Sequence, residues 1–293
     1  MRPSPEARPW RSGVDGGVLR RVGAGLLLVL AAVASAAEPA RISIIIDDMG
    51  NRRTQDLAAV RLPGPLAYAF LPHSPHAAEL AETAFRGNKE VLLHLPMQPD
   101  SRRRPGPGAI TTAMDRVELV RTVGAGLSSV PFVSGINNHM GSLITARREH
   151  MGWLMNLMRA RGNLYFVDSR TTHRTVALEE ARTNGVPSTW RDVFLDHDPR
   201  ASSIGREFDR LLSIARRKGT ALAIGHPHPE TIRFLAGMIP RLEERNVRLV
   251  PVARLTHLRG AAPPPFPRRT ARAAARPGSL AQSSASGHAA ITK

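Results

Sequence analysis

The sequence predicts a single α/β domain, a barrel or wound sheet of parallel strands with helices packed between them. Short aliphatic and β-branched runs alternate with longer amphipathic stretches, the pattern of strands joined by crossover helices. Eight such runs are present, a number that suits either architecture. Six of them are followed at once by carboxylate, carboxamide or imidazole side chains, and in a parallel barrel the C-terminal ends of the strands converge on one mouth.

In order, the expected strands are residues 42–46, 66–71, 90–95, 131–136, 164–167, 193–195, 221–224 and 248–252. The expected helices between them are 53–61, 75–86, 116–128, 146–161, 177–183, 204–218 and 230–245. Ser74 before Pro75 reads as an N-cap with proline at the first helical position, and Gly87, Gly162 and Gly219 stand where C-caps belong. Trp153, Leu154, Leu157 and Met158 recur at helical spacing and read as a core-facing stripe.

Two end segments fall outside this pattern. In residues 1–37, Arg11, Arg20 and Arg21 precede an apolar run of 12 residues and then Ala34-Ser35-Ala36-Ala37, the layout of an export signal cleaved near Ala36 or Ala37. Such a signal sends the chain across the inner membrane to the periplasm or cell envelope. Residues 261–293 are rich in Pro, Ala, Ser and Arg and hold almost nothing large to bury, so they read as a disordered tail. The folded domain is then 38–260.

The formal charge is +17, of which residues 1–37 carry +3 and 261–293 carry +5, leaving +9 on the domain. Aromatics are only 4% and no basic helix or stacking platform stands out, which argues against nucleic acid as a partner. A basic surface still favours peripheral association with an anionic envelope. There is no cysteine, so a metal site in this exported chain must be built from His and carboxylates.

The segment Ile44-Ile45-Ile46-Asp47-Asp48-Met49-Gly50 sets two carboxylates against a buried strand, an arrangement that a divalent cation compensates. One Asp can hold the metal while its neighbour acts as a base. His94 interrupts the apolar run 90–97, and His139 lies in Gly135-Ile136-Asn137-Asn138-His139-Met140-Gly141-Ser142, which suits a polar, tightly turned site. One Asp with two His is an accepted ligand set for zinc or another first-row divalent metal, with positions open for water and substrate.

Taken together and in this order, IIIDDMG, EVLLHLPMQP, GINNHMGS, FVDSRT and AIGHPHPETI resemble the motifs of the divergent polysaccharide deacetylases, over residues 42–258. The resemblance implies a NodB-homology fold, an irregular (β/α) barrel with a divalent metal, zinc above others, at its mouth. Carried over by position, Asp47 is the general base, and Asp48, His94 and His139 are the metal ligands. His226 is the general acid, with Asp168 fixing its tautomer and raising its pKa, and with Asp196 as a competitor for that orienting role. The implied reaction is removal of an N- or O-acetyl group from an acylated polysaccharide or peptidoglycan-type envelope polymer, by metal-activated water attacking the acyl carbonyl.

The sequence departs from the wider superfamily at two places. That superfamily draws both His ligands from one motif, four residues apart, but position 98 is Gln98, so the second imidazole must come from elsewhere. Its Arg-containing third motif is not recognisable, and Asn137-Asn138 stands near where it would fall. These departures feed an alternative, a catalytically inactive metal- or glycan-binding envelope protein on the same fold. His73 is a further residue expected to line the mouth, His228 reads equally as a substrate contact or a cap of the next helix, and the Arg102-Arg103-Arg104 loop is expected on the mouth side as a solvated lid or an anionic contact.

Overall fold

The computed structural model describes residues 38–260; the expected export signal and the expected tail lie outside the described residues. The strands are β1 (Ala40–Met49), β2 (Ala67–Phe70), β3 (Glu90–Met97), β4 (Val133–Met140), β5 (Tyr165–Asp168), β6 (Ser188–Trp190), β7 (Val193–Phe194), β8 (Thr220–Gly225) and β9 (Val247–Leu249). The helices are α1 (Arg53–Val60), α2 (Ala77–Arg86), α3 (Arg116–Ser129), α4 (Arg148–Arg161), α5 (Ala177–Thr183), α6 (Ala201–Lys218), α7 (Pro229–Met238) and α8 (Val252–Leu258). Strands pair in parallel in the order β6-β5-β4-β3-β2-β1-β8-β7, with β9 also on β1.

The segment 188–194 brings the two edges of this sheet together. Its first half pairs with β5 and its second half with β8. Between them, the Arg191 N–H donates to Asp168 O at 3.0 Å and the Asp192 N–H to Leu222 O at 2.8 Å, so the ladder carries through the bend. The sheet therefore curls into the expected irregular (β/α) barrel.

Several boundaries differ from expectation for local reasons. Strands β3 and β4 run on to Met97 and Met140 because their ladder continues in register through the polar residues. Helix α2 starts at Ala77, since the Ser74 hydroxyl donates back to Leu71 O and caps nothing. Helix α7 stops at Met238, just before Pro240, and short 3-10 turns follow. Gly162 and Gly219 are left-handed C-caps as expected, whereas Gly87 ends its helix at negative φ. Asp115 and Glu118 form a reciprocal capping box for α3 that the sequence reading did not single out.

Side-chain alternation along the strands sorts the core into two layers. On β1, Ile42, Ile44 and Ile46 pack outward against the helices, while Ile45 belongs to the barrel interior and the Ser43 hydroxyl donates to Val250 O. On β3, Val91, Leu93 and Leu95 face out and Leu92 faces in. The interior is closed at the N-terminal strand ends by α8, whose Val252, Ala253 and Leu255 pack with Leu92, Tyr165 and Leu222. Buried Glu90 accepts the Val252 and Ala253 N–H groups at 2.5 and 2.9 Å, two donors a helix start otherwise leaves orphaned.

Candidate functional site

The inward phase of four strands, carried past their apolar residues, reaches the mouth. Ser43 and Ile45 lead to Asp47; Leu92 leads to His94; Leu222 and Ile224 lead to His226; Phe194 leads to Asp196. On β4, Asn137 is paired in register with His94, and His139, two residues further, with Pro96.

Asp48 breaks this alternation. In a regular strand it would point away from Asp47, but the β1–β2 register shifts between Ile46 and Met49 and Asp48 takes φ +58°. A bulge with a left-handed residue, a conformation Asp tolerates, aims both neighbours at one mouth. Gly50 (φ +113°) completes the turn; a Cβ there would lie 2.0 Å from Ser74 Oγ.

Three donor atoms then meet. Asp48 Oδ1 lies 3.1 Å from His94 Nε2 and 2.9 Å from His139 Nδ1, and the two nitrogens are 3.1 Å apart. Asp48 Oδ1 is buried and, close as both imidazoles are, has no well-formed hydrogen bond of its own. Donors about 2.1 Å from one cation stand roughly 3.0 to 3.4 Å apart, close to this triangle. The orphaned oxygen, the two imidazoles and the spacing fit a divalent metal.

Gln98 cannot join them. The strand β3 stays extended through Met97, so residue 98 lies about 13 Å along the chain from His94, where a helix would bring i and i+4 within about 6 Å. Its side-chain oxygen instead accepts the Thr112 N–H at 2.7 Å and the Thr112 hydroxyl at 2.9 Å. The second imidazole comes from the neighbouring strand.

Charge at the site follows from burial and proximity. Burial pushes the Asp48 carboxyl up, but the His139 and His94 imidazoles outweigh it and hold it well below the usual carboxylate range. Burial dominates at Asp47 and raises it, with Asp48 adding repulsion and His94, His226 and Asn137 opposing. His94 is pulled down by burial but lifted by Asp47, Asp48 and Asn137, to about 9.

Across the mouth, His226 Nδ1 lies 2.9 Å from Asp196 Oδ1, while Asp196 Oδ2 accepts the His226 N–H at 2.6 Å and the Thr231 hydroxyl at 2.8 Å. His226 Nε2 is 3.7 Å from Asp48 Oδ2, so this pair faces the metal triangle. The orienting partner of His226 is therefore Asp196 and not Asp168. Tyr165 and Val167 point inward, which puts Asp168 on the other face, where it accepts the Arg170 N–H at 2.8 Å and the Thr175 hydroxyl at 3.0 Å. Asp196, His226 and His228 also bring three donors within 4.8 Å, but the first two already satisfy each other.

Two clefts flank the triangle. One, about 460 Å³, is lined by Asp48, Arg52, Phe194, His226 and His228; the other, about 480 Å³, by His73, Arg104, Pro105, Pro107 and His139. Phe194, edge-on to His226 at 5.2 Å, was not foreseen from the sequence; its only signal there is its place two residues before Asp196.

A parallel (β/α) barrel with an Asp-His-His donor triangle at its strand ends, a second carboxylate beside it and a His-Asp pair facing it defines the deacetylase-fold class. The chain belongs to the divergent polysaccharide deacetylase family, whose profile matches residues 44–256. It is 38% identical over 213 residues to the uncharacterized protein YibQ of Escherichia coli K12, covering 73% of this chain and 66% of that protein, just under two thirds of its length. An uncharacterized protein of Haemophilus influenzae is 34% identical over 227 residues, 77% of this chain and 80% of the other. The crystal structure of uncharacterized protein ATU2773 from Agrobacterium tumefaciens C58 shares the fold, with a TM-score of 0.71 at 24% identity over 75% of this chain and 91% of that one.

Proposed function

We propose that this chain is an exported metal-dependent hydrolase that removes an acetyl group from nitrogen or oxygen of an acylated envelope glycan, a polysaccharide or peptidoglycan-type polymer, in the periplasm or cell envelope. The observation that carries this reading is the Asp48-His94-His139 triangle, held between Asp47 and the Asp196–His226 pair. Family membership supports the substrate class, and the paired clefts give a chain-like substrate room on both sides of the centre.

Asp48, His94 and His139 would hold the cation, zinc by their donor chemistry. A divalent cation held by these three side chains would supply Lewis acidity for an acyl carbonyl and for water. Asp47, buried and raised, takes the proton as water attacks the carbonyl carbon. His226 is held protonated against the effect of burial by the Asp196 carboxylate together with Asp47 and Asp48, and it delivers that proton to the leaving amine or alkoxide as acetate departs.

The test uses the full-length chain. Stoichiometric zinc is expected in the wild type and absent in Asp48→Ala, His94→Ala and His139→Ala. Zinc at a hundredfold excess over its Kd should add about 2.7 kcal/mol of stability, roughly 5 to 10 °C in Tm. Asp47→Asn should keep the metal and lose acetate release from acetylated chito-oligosaccharide and acetylated xylan. A wild type that binds zinc but releases no acetate from any acetylated glycan would instead be the inactive binding protein.

A further inference from the structure

We infer that Asn137 is a positioning residue that ties the base Asp47 to the ligand His94, an inference that rests on the metal reading above. Asn137 is fully buried in the C-terminal half of β4, and its side chain bridges β1 and β3. Its Nδ2 lies 2.8 Å from Asp47 Oδ1 on β1, and its Oδ1 lies 2.8 Å from His94 Nδ1 on β3.

A carboxamide has a fixed polarity, which makes these two bonds dependent on each other. The NH2 end faces Asp47 Oδ1, which accepts from it, and the carbonyl end, which can only accept, faces His94. His94 Nδ1 then has to donate, and the neutral tautomer that does so leaves a lone pair on Nε2, which lies 3.1 Å from both Asp48 Oδ1 and His139 Nδ1. One side chain thus prepares the imidazole for a metal. It also occupies Asp47 Oδ1, leaving Oδ2, which lies 3.6 Å from His94 Nε2, as the oxygen able to take a proton.

Neighbouring Asn138 shows the contrast. On the opposite face of β4, its Nδ2 donates to Met140 O and its Oδ1 accepts the Ser169 N–H, both at 2.8 Å, so it fastens backbone alone. Asn137 has no backbone partner among its described hydrogen bonds; both of its bonds go to the site.

Zinc titrations of the metal-free full-length chain separate these roles. Asn137→Ala removes the acceptor for His94 and should weaken zinc binding 10- to 100-fold. Asn137→Asp keeps that acceptor but sets a like charge against Asp47, so zinc affinity should stay within threefold of wild type or rise, while kcat for acetate release falls. Asn138→Ala should lower Tm and leave zinc affinity unchanged. Equal zinc affinity in Asn137→Ala and wild type, or a loss in Asn137→Asp as large as in Asn137→Ala, overturns the inference while the metal reading stands. A wild type that binds no zinc overturns both.

Discussion

The Asp196 carboxylate grips His226 at two points, accepting from the ring at Nδ1 and from the backbone N–H, and so fixes both the tautomer and the ring plane of that imidazole. The same contact sets its charge. Burial alone would lower the His226 pKa; Asp196, with the Asp47 and Asp48 carboxylates adding to it, reverses the sign.

A pH profile should report this pair. An acid must be protonated, so the rate falls as pH rises through the His226 pKa. In Asp196→Asn the raising carboxylate is gone, and the alkaline limb should move to lower pH with kcat reduced about 100- to 10,000-fold. Asp168→Asn should leave that limb in place and cost about 1 kcal/mol of stability, because the carboxamide keeps one acceptor oxygen and loses one loop bond. A limb that moves in Asp168→Asn and stays put in Asp196→Asn would reverse the assignment.

Restoring the wider superfamily's residue at position 98 should not restore a ligand. With β3 extended through Met97, Gln98→His directs its ring toward Thr112. Zinc affinity should stay within about twofold of wild type, while proteolysis in the loop 99–111 speeds up because its tie to Gln98 is lost. Tighter zinc binding by this variant would mean that the loop can fold back to the metal.

Arg259 should matter more to stability than its place near the end of the domain suggests. Buried against Asp192 at 2.5 Å, it also donates to Thr189 Oγ1, Trp190 O and Thr220 Oγ1, and stacks on Trp190 at 4.6 Å. These contacts hold the bend at which 188–194 closes the barrel. Arg259→Ala leaves Asp192 buried without its cation and should cost about 3 to 5 kcal/mol in urea unfolding. A chain ending at Leu258 should lose as much.

Glu90 should give the fold a pH dependence of its own. Burial pushes its carboxyl from 4.5 up to about 7, against the lowering effect of the two α8 N–H groups. Between those two values the native state holds a proton that the unfolded chain has lost, so stability is greatest at the acid side and falls as pH rises toward 7. The loss amounts to about 3 kcal/mol. Glu90→Gln cannot titrate, so its unfolding free energy should decline less than that of wild type between pH 5 and pH 8; parallel declines would exclude Glu90 as the source.

Much of this protein was legible before any coordinates. Aliphatic runs alternating with amphipathic stretches determined the α/β class, because burial of strands and of helix faces imposes those periods locally. The residue types at the strand ends pointed to one place, since Asp47-Asp48, His94, His139 and His226 are hard to account for at the ends of buried strands without a cation or a reaction. What the tertiary structure alone decided was direction. Strands buried on both faces carry apolar residues in both phases, so the sequence does not say which phase points inward. That phase put Asp196 beside His226 and turned Asp168 away. A bulge at Asp48 then brought two adjacent carboxylates to one mouth, and the register of β4 against β3 supplied as a neighbour the imidazole that an extended chain could not supply four residues on.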